Sequence, residues 1–155
     1  ALVANFTDVK TIKGIEIDKH LVDNAKQINK RFGKEKKITF SHFSGSSIPK
    51  DIGEYDLIYM IDVYHHIPPN IREDFMKQVY AKMKPGARLM FKDINAGSPF
   101  IPFNKVHDLV FAQEFPREIS FYKAIQLLTS LGFKIVEGRK KQVFVYPHYF
   151  ILAQK

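Results

Sequence analysis

The sequence predicts an α/β fold, in which a mostly parallel sheet has helices on both faces and an antiparallel last strand. Segments with strand patterns alternate with segments of helical periodicity, which is the order expected when helices cover a parallel sheet. The run from Tyr55 to Ile61 is almost continuously apolar, as in strands that are covered on both faces. Only about ten residues, Gly138 to His148, separate the last two predicted strands. Because so short a connection has no room for a helical crossover, we expect the final strand to run antiparallel.

Length and composition predict one ordinary globular domain over residues 1–155. The chain is 45% hydrophobic and 26% charged, which excludes a disordered tail, a collagen-like fibre and a coiled coil. It contains no cysteine, so disulfides, thiolate zinc sites and iron–sulfur clusters are excluded, and a reducing cytoplasm is the expected location. No apolar run approaches the roughly 18 residues that a membrane span needs.

The net charge of +8 is compatible with nucleic acid, anionic lipid or an anionic substrate as partner. The basic residues are spread along the chain, and the dense clusters adjoin predicted turns or a predicted strand. This distribution favours a solvated basic surface, with nucleic-acid binding kept as an alternative.

In the first third of the chain, the pattern predicts a strand over Thr11–Asp18, a helix capped by Asp18, and a second strand over Lys37–Phe43. The helix is expected to end at Gly33, because a glycine commonly follows the last helical turn. A Ser- and Gly-rich loop follows the second strand.

The next part predicts a strand over Tyr55–Ile61 and a helix that Asn70 caps and that runs to about residue 83. A turn at Lys84–Gly86 precedes a strand that runs to Ile94. An irregular insert then covers residues 95–116. The remaining predictions are a short helix near Phe103–Phe111, a helix over Phe121–Leu131, and strands over Phe133–Glu137 and Tyr149–Ala153.

Ligands of open parallel sheets bind beyond the carboxyl ends of the strands, so we expect the site residues there. Glu16 ends the first strand, where a carboxylate can accept hydrogen bonds from ribose hydroxyls, and a solvated strand-end carboxylate is the alternative. Asp18 is better explained as a helix cap. Asp93 ends a later strand and either faces the same cleft or caps the following turn.

The densest polar cluster contains Asp62, His65 and His66. It could bind a metal, supply a general base or only support the structure. Neighbouring side chains on a strand point in different directions, and no third ligand is evident, so no metal site is predicted. No nucleophile elbow, phosphate-binding Walker loop or His-Glu-x-x-His motif supports the corresponding hydrolase and phosphoryl-transfer classes.

Four segments together resemble the class I S-adenosylmethionine-dependent methyltransferases, in that family's order and at its approximate spacing. They are Gly14–Asp18, Tyr55–Ile58, Asp62–Pro68 and Met83–Met90. The predicted closing pair of strands also matches the family's antiparallel hairpin. The resemblance covers almost the whole chain and implies a Rossmann-like sheet, S-adenosylmethionine as cofactor, and methyl transfer as the reaction.

The resemblance assigns the adenosine part of the cofactor to the ends of the first two strands. Glu16 matches the acidic residue that holds the ribose hydroxyls, and Ile17 matches the apolar neighbour of the adenine. Ser44 falls where many members carry an aspartate near the adenine amino group. Contact with the adenine would therefore depend on Ser44, on Gly45 or on the backbone.

The resemblance also assigns the reacting part of the cofactor. Met60, Ile61 and Asp62 match the strand end beside its methionine portion, and His65 and His66 match the stretch that faces the transferred methyl group. The insert 95–116 lies where the family varies its substrate cover. Its phenylalanines indicate a small or lipid-like acceptor, with simple packing against the sheet as the alternative.

One departure from the family concerns the start of the chain. The family begins with a strand and a glycine-rich loop, and this sequence has neither before Glu16. We expect the sequence to be truncated at its N-terminus; alternatives are a strand supplied by another chain and a degenerate relative that acts as a cofactor-less interaction domain. The basic charge keeps an RNA or protein methyltransferase as a further alternative.

Overall fold

The computed structural model describes residues 8–49, 52–97, 117–143 and 146–155. These residues form two compact units, divided between Ile52 and Gly53. The single domain over 1–155 stays a prediction. The short helix predicted near Phe103–Phe111 and the remainder of that insert up to residue 116 lie outside the described residues, apart from residues 95–97.

The first unit contains β1 (Ile12–Glu16), α1 (Lys19–Arg31) and β2 (Ile38–His42), and the two strands pair in parallel. Helix α1 begins where the sequence predicts, because the Asp18 carboxylate accepts hydrogen bonds from the backbone N–H groups of His20 (2.7 Å) and Leu21 (3.4 Å). Asn29 is buried and donates from Nδ2 to the backbone oxygen of Ile38 at 2.6 Å. This hydrogen bond ties the last turns of α1 to the start of β2.

The second unit contains a four-stranded sheet in the order β3-β4-β6-β5. Its elements are β3 (Tyr55–Ile61), a 3-10 turn (Tyr64–His66), α2 (Arg72–Ala81), β4 (Met83–Ile94), α3 (Phe121–Ser130), β5 (Lys134–Val143) and β6 (Tyr146–Gln154). Strand β3 pairs in parallel with β4, whereas β6 is antiparallel to both β4 and β5. Strands β3, β4 and β5 therefore share one direction and β6 alone opposes it, which confirms the predicted mostly parallel sheet with an antiparallel last strand.

The core of this second unit lies along one face of the two central strands. Alternate side chains of β4 and β6 are fully buried, because successive side chains of a strand point to opposite faces. In the paired part of these two strands, the residues with 0% exposure include Leu89, Phe91, Tyr149, Ile151 and Ala153. Each large apolar side chain in this layer contributes about 1.5–3 kcal/mol through its removal from water.

Two predicted boundaries are wrong. The N-cap of α2 is Ile71 and not Asn70, and no side chain caps this helix. The turn predicted at Lys84–Gly86 lies inside β4: Tyr55 is opposite Met83, but Leu57 is opposite Arg88. The intervening residues of β4 bulge out, and Gly86 supplies the positive φ of 78° that such a bulge needs.

The closing hairpin is longer than predicted. Strand β5 extends to Val143 and β6 begins at Tyr146, so most of the predicted loop Gly138–His148 is paired strand. The segment from Gly138 to Gln142 lacks apolar alternation, and the ladder with β6 holds it extended.

Candidate functional site

The ends of β1 and β2 bring together the four site residues that were predicted in the first unit. The backbone N–H of Phe43 donates to the backbone oxygen of Glu16 at 3.0 Å, which places Ser44 and Gly45 beside Glu16 and Ile17. Gly45 has a φ of +87°, and a Cβ atom on it would lie 2.7 Å from Ile17 Cδ1. The loop after β2 therefore passes directly against the Ile17 side chain, where a larger residue would displace it.

The Glu16 carboxylate is held in one orientation by the backbone N–H groups of the two residues that follow it. Its Oε1 accepts from the N–H groups of Ile17 at 2.7 Å and Asp18 at 3.0 Å, and within the described residues Oε2 has no hydrogen bond. Ile17 is 58% exposed although it is apolar. A fixed carboxylate beside an exposed aliphatic side chain and a glycine suits a ligand that carries both hydroxyl groups and a flat apolar ring.

In the second unit, β3 ends at a strained residue. Met60 is buried and Ile61 is 48% exposed. Asp62 adopts a positive φ of 54°, a conformation that costs a non-glycine residue about 1–3 kcal/mol. Its backbone N–H donates to the Lys92 backbone oxygen at 3.0 Å, and its carboxylate pairs with the Lys92 ammonium. These bonds hold the conformation.

The predicted site residue His65 is buried against Asp93, and the two side chains have 6% and 2% exposure. The Asp93 carboxylate accepts from the His65 backbone N–H at 3.1 Å, from His65 Nδ1, and from the Ile94 N–H at 2.7 Å. Burial by itself lowers the pKa of His65. The hydrogen bond and the charge of Asp93 outweigh that effect, so the pKa of His65 lies above its ordinary value.

The two neighbouring histidines do not diverge as expected for a strand. They lie on the 3-10 turn, and their rings are 3.9 Å apart between centroids at 44°. His66 is exposed, whereas His65 is buried. The structure thus brings the two rings together and gives each a different environment.

Arg72 supports this turn and was not singled out from the sequence. Its Nη2 donates to the backbone oxygen of His65 at 3.0 Å, and its Nε donates to that of Ile67 at 2.7 Å. The guanidinium lies 4.8 Å from the centroid of the Tyr64 ring. A lone arginine near a helix start gives no sequence signal for such a role.

His148 is the second residue that sequence reasoning missed, because it fell at the edge of the predicted loop. It lies on β6 opposite Ile94, with its Nδ1 atom 3.9 Å from Asp62 Oδ1. Both atoms are buried and have no hydrogen-bond partner among the described residues. Burial first, and then the nearby Lys92 ammonium, lowers the pKa of His148. The alternation of buried and half-buried residues from Tyr146 onward is visible in the structure and not in the sequence, whose apolar run begins only at Tyr149.

Among the described residues, no group of three or more His, Cys, Asp or Glu side chains could hold a metal ion. No helix in that part of the chain is long and apolar enough to cross a membrane.

Several solved structures with the same fold are methyltransferases. A methyltransferase described as S-adenosylmethionine-dependent, from Methanosarcina mazei, has a TM-score of 0.76 at 20% identity, and the match covers 94% of this chain and 82% of that one. Magnesium protoporphyrin IX methyltransferase from Synechocystis, solved with bound S-adenosylhomocysteine, has a TM-score of 0.72 at 16% identity. That match covers 94% of this chain but only 64% of the Synechocystis enzyme.

A third similar structure is an O-methyltransferase family 2 protein from Planctomyces limnophilus in complex with apigenin. It has a TM-score of 0.74 at 15% identity, and the match covers all of this chain and 45% of that one. This chain therefore spans about half the length of the Planctomyces protein. At these identities the likeness establishes the fold.

The family is established by the sequence itself. Among curated proteins, none matches this sequence. A family model described as a methyltransferase domain matches residues 2–137, well over half of the chain. The chain belongs to this methyltransferase domain family, and its fold is that of the class I S-adenosylmethionine-dependent methyltransferases.

Proposed function

We propose that this methyltransferase domain binds S-adenosylmethionine and transfers its methyl group to a small or lipid-like acceptor. The observation that carries the proposal is the arrangement of Glu16, Ile17 and Gly45 at the ends of β1 and β2. It combines a carboxylate held in one orientation, an exposed aliphatic side chain, and a glycine that leaves the backbone beside that side chain uncovered. These features fit the ribose and the adenine of the proposed cofactor.

In the first unit each residue has a distinct proposed role. Glu16 accepts hydrogen bonds from the ribose hydroxyls through Oε2, because its other oxygen is already engaged by the backbone. Ile17 packs against one face of the adenine. Ser44 and the backbone of Gly45 take the place of the aspartate that many relatives carry, and the exposed Ser44 hydroxyl can donate or accept there.

In the second unit we assign Met60, Ile61 and Asp62 to the methionine portion of the cofactor. The bound cofactor supplies a methyl group on a sulfonium, so transfer depends chiefly on proximity and alignment. A base is needed only when the acceptor has a proton to lose. His65 and His66 are the proposed bases, and the Asp93 carboxylate favours the tautomer of His65 in which Nδ1 carries the proton and Nε2 is basic.

The small-molecule acceptor is supported by two observations. The Synechocystis enzyme acts on a porphyrin, and the Planctomyces protein is solved with apigenin, so this fold accommodates small ring systems. The insert 95–116 of this chain contains Phe100, Phe103, Phe111 and Phe115, which suit an apolar acceptor. The net charge of +8 favours an RNA or protein acceptor as the second candidate.

Calorimetric titration with S-adenosylhomocysteine tests the cofactor assignment. We expect the wild-type protein to bind, and Glu16→Gln to weaken binding roughly tenfold or more, because a hydrogen bond to a charged group contributes about 1.5–3 kcal/mol. Glu35→Gln is the matched control: it removes the same charge from an exposed position of the same unit. Absence of binding to the wild type, or equal binding by both variants, contradicts the assignment and favours the cofactor-less interaction domain.

A further inference from the structure

We propose that His148 is a further base of the methyl-transfer reaction, positioned by Asp62, and that it accepts the proton of a hydroxyl group on the methyl acceptor. This inference rests on the proposed function, because it names the chemical class of the acceptor. His148 lies on β6 opposite Ile94, the last residue of β4. It is therefore at the carboxyl end of β4, and ligands of open α/β sheets bind at such ends.

Asp62 and His148 bring two buried polar atoms face to face. Asp62 Oδ1 and His148 Nδ1 are 3.9 Å apart, and each lacks a hydrogen-bond partner among the described residues. Buried polar atoms nearly always have a partner, and a side-chain movement of about 1 Å brings these two to hydrogen-bond distance. Because a carboxylate oxygen only accepts, this hydrogen bond requires the proton on Nδ1.

The pairing leaves the outer side of the His148 ring as the basic side. With the proton on Nδ1, the lone pair of the neutral ring is on Nε2. The side chain is 16% exposed although Nδ1 is buried, so the exposed part of the ring lies away from Nδ1. A carboxylate that fixes the tautomer of a histidine in this way prepares the ring to act as a base.

Asp62 is held firmly enough to orient a ring. Its backbone N–H donates to the Lys92 backbone oxygen at 3.0 Å, and its Oδ2 pairs with the Lys92 ammonium. The other carboxylate oxygen, Oδ1, is thereby left for His148. Asp62 directly follows β3 and is among the residues assigned to the methionine portion of the cofactor, so the pair belongs to the end of the sheet proposed for the reaction.

The surroundings of His148 keep its ring neutral near pH 7. The charged and titratable groups around it are Asp62, His65, Lys92, Asp93 and, on the neighbouring strand β5, Lys141. Burial has the largest effect on the pKa of His148 and the Lys92 ammonium the next largest, and both lower it. The two carboxylates act in the opposite direction without reversing the result. A ring that is already neutral can accept a proton.

His65 is less suited to this task. Its side chain is almost fully buried, and its hydrogen bond with Asp93 raises its pKa above the ordinary value. A base must be unprotonated and must reach the proton that it removes. His148 is the more exposed of the two rings and is protonated over a narrower pH range, so it meets both conditions better.

The proposed step balances in atoms and charge. Nε2 of His148 takes the hydroxyl proton, and the hydroxyl oxygen forms a bond to the methyl carbon. The carbon–sulfur bond breaks, its electron pair goes to sulfur, and S-adenosylhomocysteine leaves. The imidazolium then releases its proton to solvent. A neutral amine already has the lone pair that attacks, so a residue oriented for proton removal favours a hydroxyl acceptor.

Nitrogen NMR of the histidine rings tests the pairing without any acceptor. We expect the neutral His148 ring of the wild-type protein to carry its proton on Nδ1. Asp62→Gly removes the carboxylate, and glycine adopts the positive φ of this position without strain. We expect this variant to lose the preference for Nδ1 and to show a lower pKa of His148, because the Asp62 charge raises it. His65, which keeps its hydrogen bond with Asp93, is the internal control and should retain its tautomer.

Methyl transfer to phenol and to 4-nitrophenol, followed with a labelled methyl donor, tests the base itself. At mildly alkaline pH the nitrophenol is already largely ionised, whereas phenol keeps its proton. His148→Gln should lower kcat for phenol about a hundredfold or more and kcat for 4-nitrophenol less than about threefold, because only phenol needs a base. His20→Gln, the same substitution at an exposed position of α1, is the matched control and should leave both rates unchanged.

Several outcomes overturn the proposal. A proton on Nε2 of His148 in the wild type, or an unchanged ring in Asp62→Gly, removes the positioning role of Asp62. Equal losses with the two phenols in His148→Gln show a structural role only. Loss of the phenol rate in His65→Gln but not in His148→Gln assigns the proton to His65. Transfer to neither phenol by a wild type that binds S-adenosylhomocysteine excludes the hydroxyl acceptor.

Calorimetry with S-adenosylhomocysteine on the same samples separates this proposal from the function on which it rests. A wild-type protein that does not bind S-adenosylhomocysteine refutes the proposed function and with it the reaction of His148. Retained S-adenosylhomocysteine binding in His148→Gln, together with the selective loss of the phenol rate, supports His148 as the base.

Discussion

At the scale of single residues, His65 shows how burial and a neighbouring carboxylate, that of Asp93, together determine the pKa of a histidine. Burial disfavours the imidazolium, and the Asp93 hydrogen bond and charge favour it, with a raised pKa as the net result. His148, in the same unit, lacks a hydrogen-bond partner within the described part of the chain, and its pKa is lowered by burial. The two histidines therefore titrate on opposite sides of the ordinary value of 6.5.

Replacement of Asp93 by asparagine should reverse the shift of His65. Burial remains in Asp93→Asn while the negative charge is lost, so we expect the pKa of His65 to fall below 6.5. The ring-proton chemical shifts of His65 followed against pH measure this directly. Asp56→Asn is the control, because the Asp56 side chain is 83% exposed and pairs with exposed Lys84. If the pKa of His65 stays above 6.5 in Asp93→Asn, a group other than Asp93 causes the raised pKa, which contradicts this prediction.

The positions of candidate site residues were predictable where a strand end determined them and not where packing did. Glu16, Ile17 and Ser44 lie at the ends of two predicted strands, the family resemblance adds Gly45 and the roles of all four, and the structure brings the four residues together. The roles of Arg72 and His148 depend on contacts with residues distant in sequence. No local pattern encodes the 3.9 Å distance between His148 Nδ1 and Asp62 Oδ1.

At the scale of helices and strands, the sequence predicted a boundary correctly where unpaired backbone groups require a side-chain partner. The cap at Asp18 is such a case, since its carboxylate satisfies N–H groups that have no partner inside the helix. The start of α2 was not predictable in this way, because Ile71 provides no side-chain cap. The bulge in β4 and the length of β5 depend on pairing with other strands, which a single segment does not reveal.

Removal of the Asp18 carboxylate should destabilise the first turn of α1. Loss of an N-cap costs about 1 kcal/mol, so Asp18→Ala should speed hydrogen exchange of the His20 and Leu21 amides about fivefold. Asp18→Ser, which restores an acceptor, should recover most of the protection. Asp23→Ala is the control, because Asp23 is within the same helix and forms an exposed ion pair with Lys19. Equal exchange rates in Asp18→Ala and the wild type would show that the cap contributes nothing.

At the scale of the whole molecule, strand order and direction define the fold, whereas the family assignment comes from the sequence match over residues 2–137. The four-stranded sheet has one antiparallel strand, β6, between two strands of the opposite direction. This topology was predictable because apolar runs, helical periodicity and the short last connection each limit the possible arrangements. The acceptor was not predictable to the same degree, because the insert 95–116 is defined by composition and has no clear period.

The central claim is that the ends of β1 and β2 bind the adenosine part of S-adenosylmethionine. The most direct test is an NMR titration of the intact protein with S-adenosylhomocysteine, in which the perturbed backbone amides are mapped residue by residue. We predict saturable shifts concentrated at Ile17, Asp18, Ser44 and Gly45, and their loss in Glu16→Gln. Saturable binding that leaves these amides unperturbed, or no binding at all, would contradict this account.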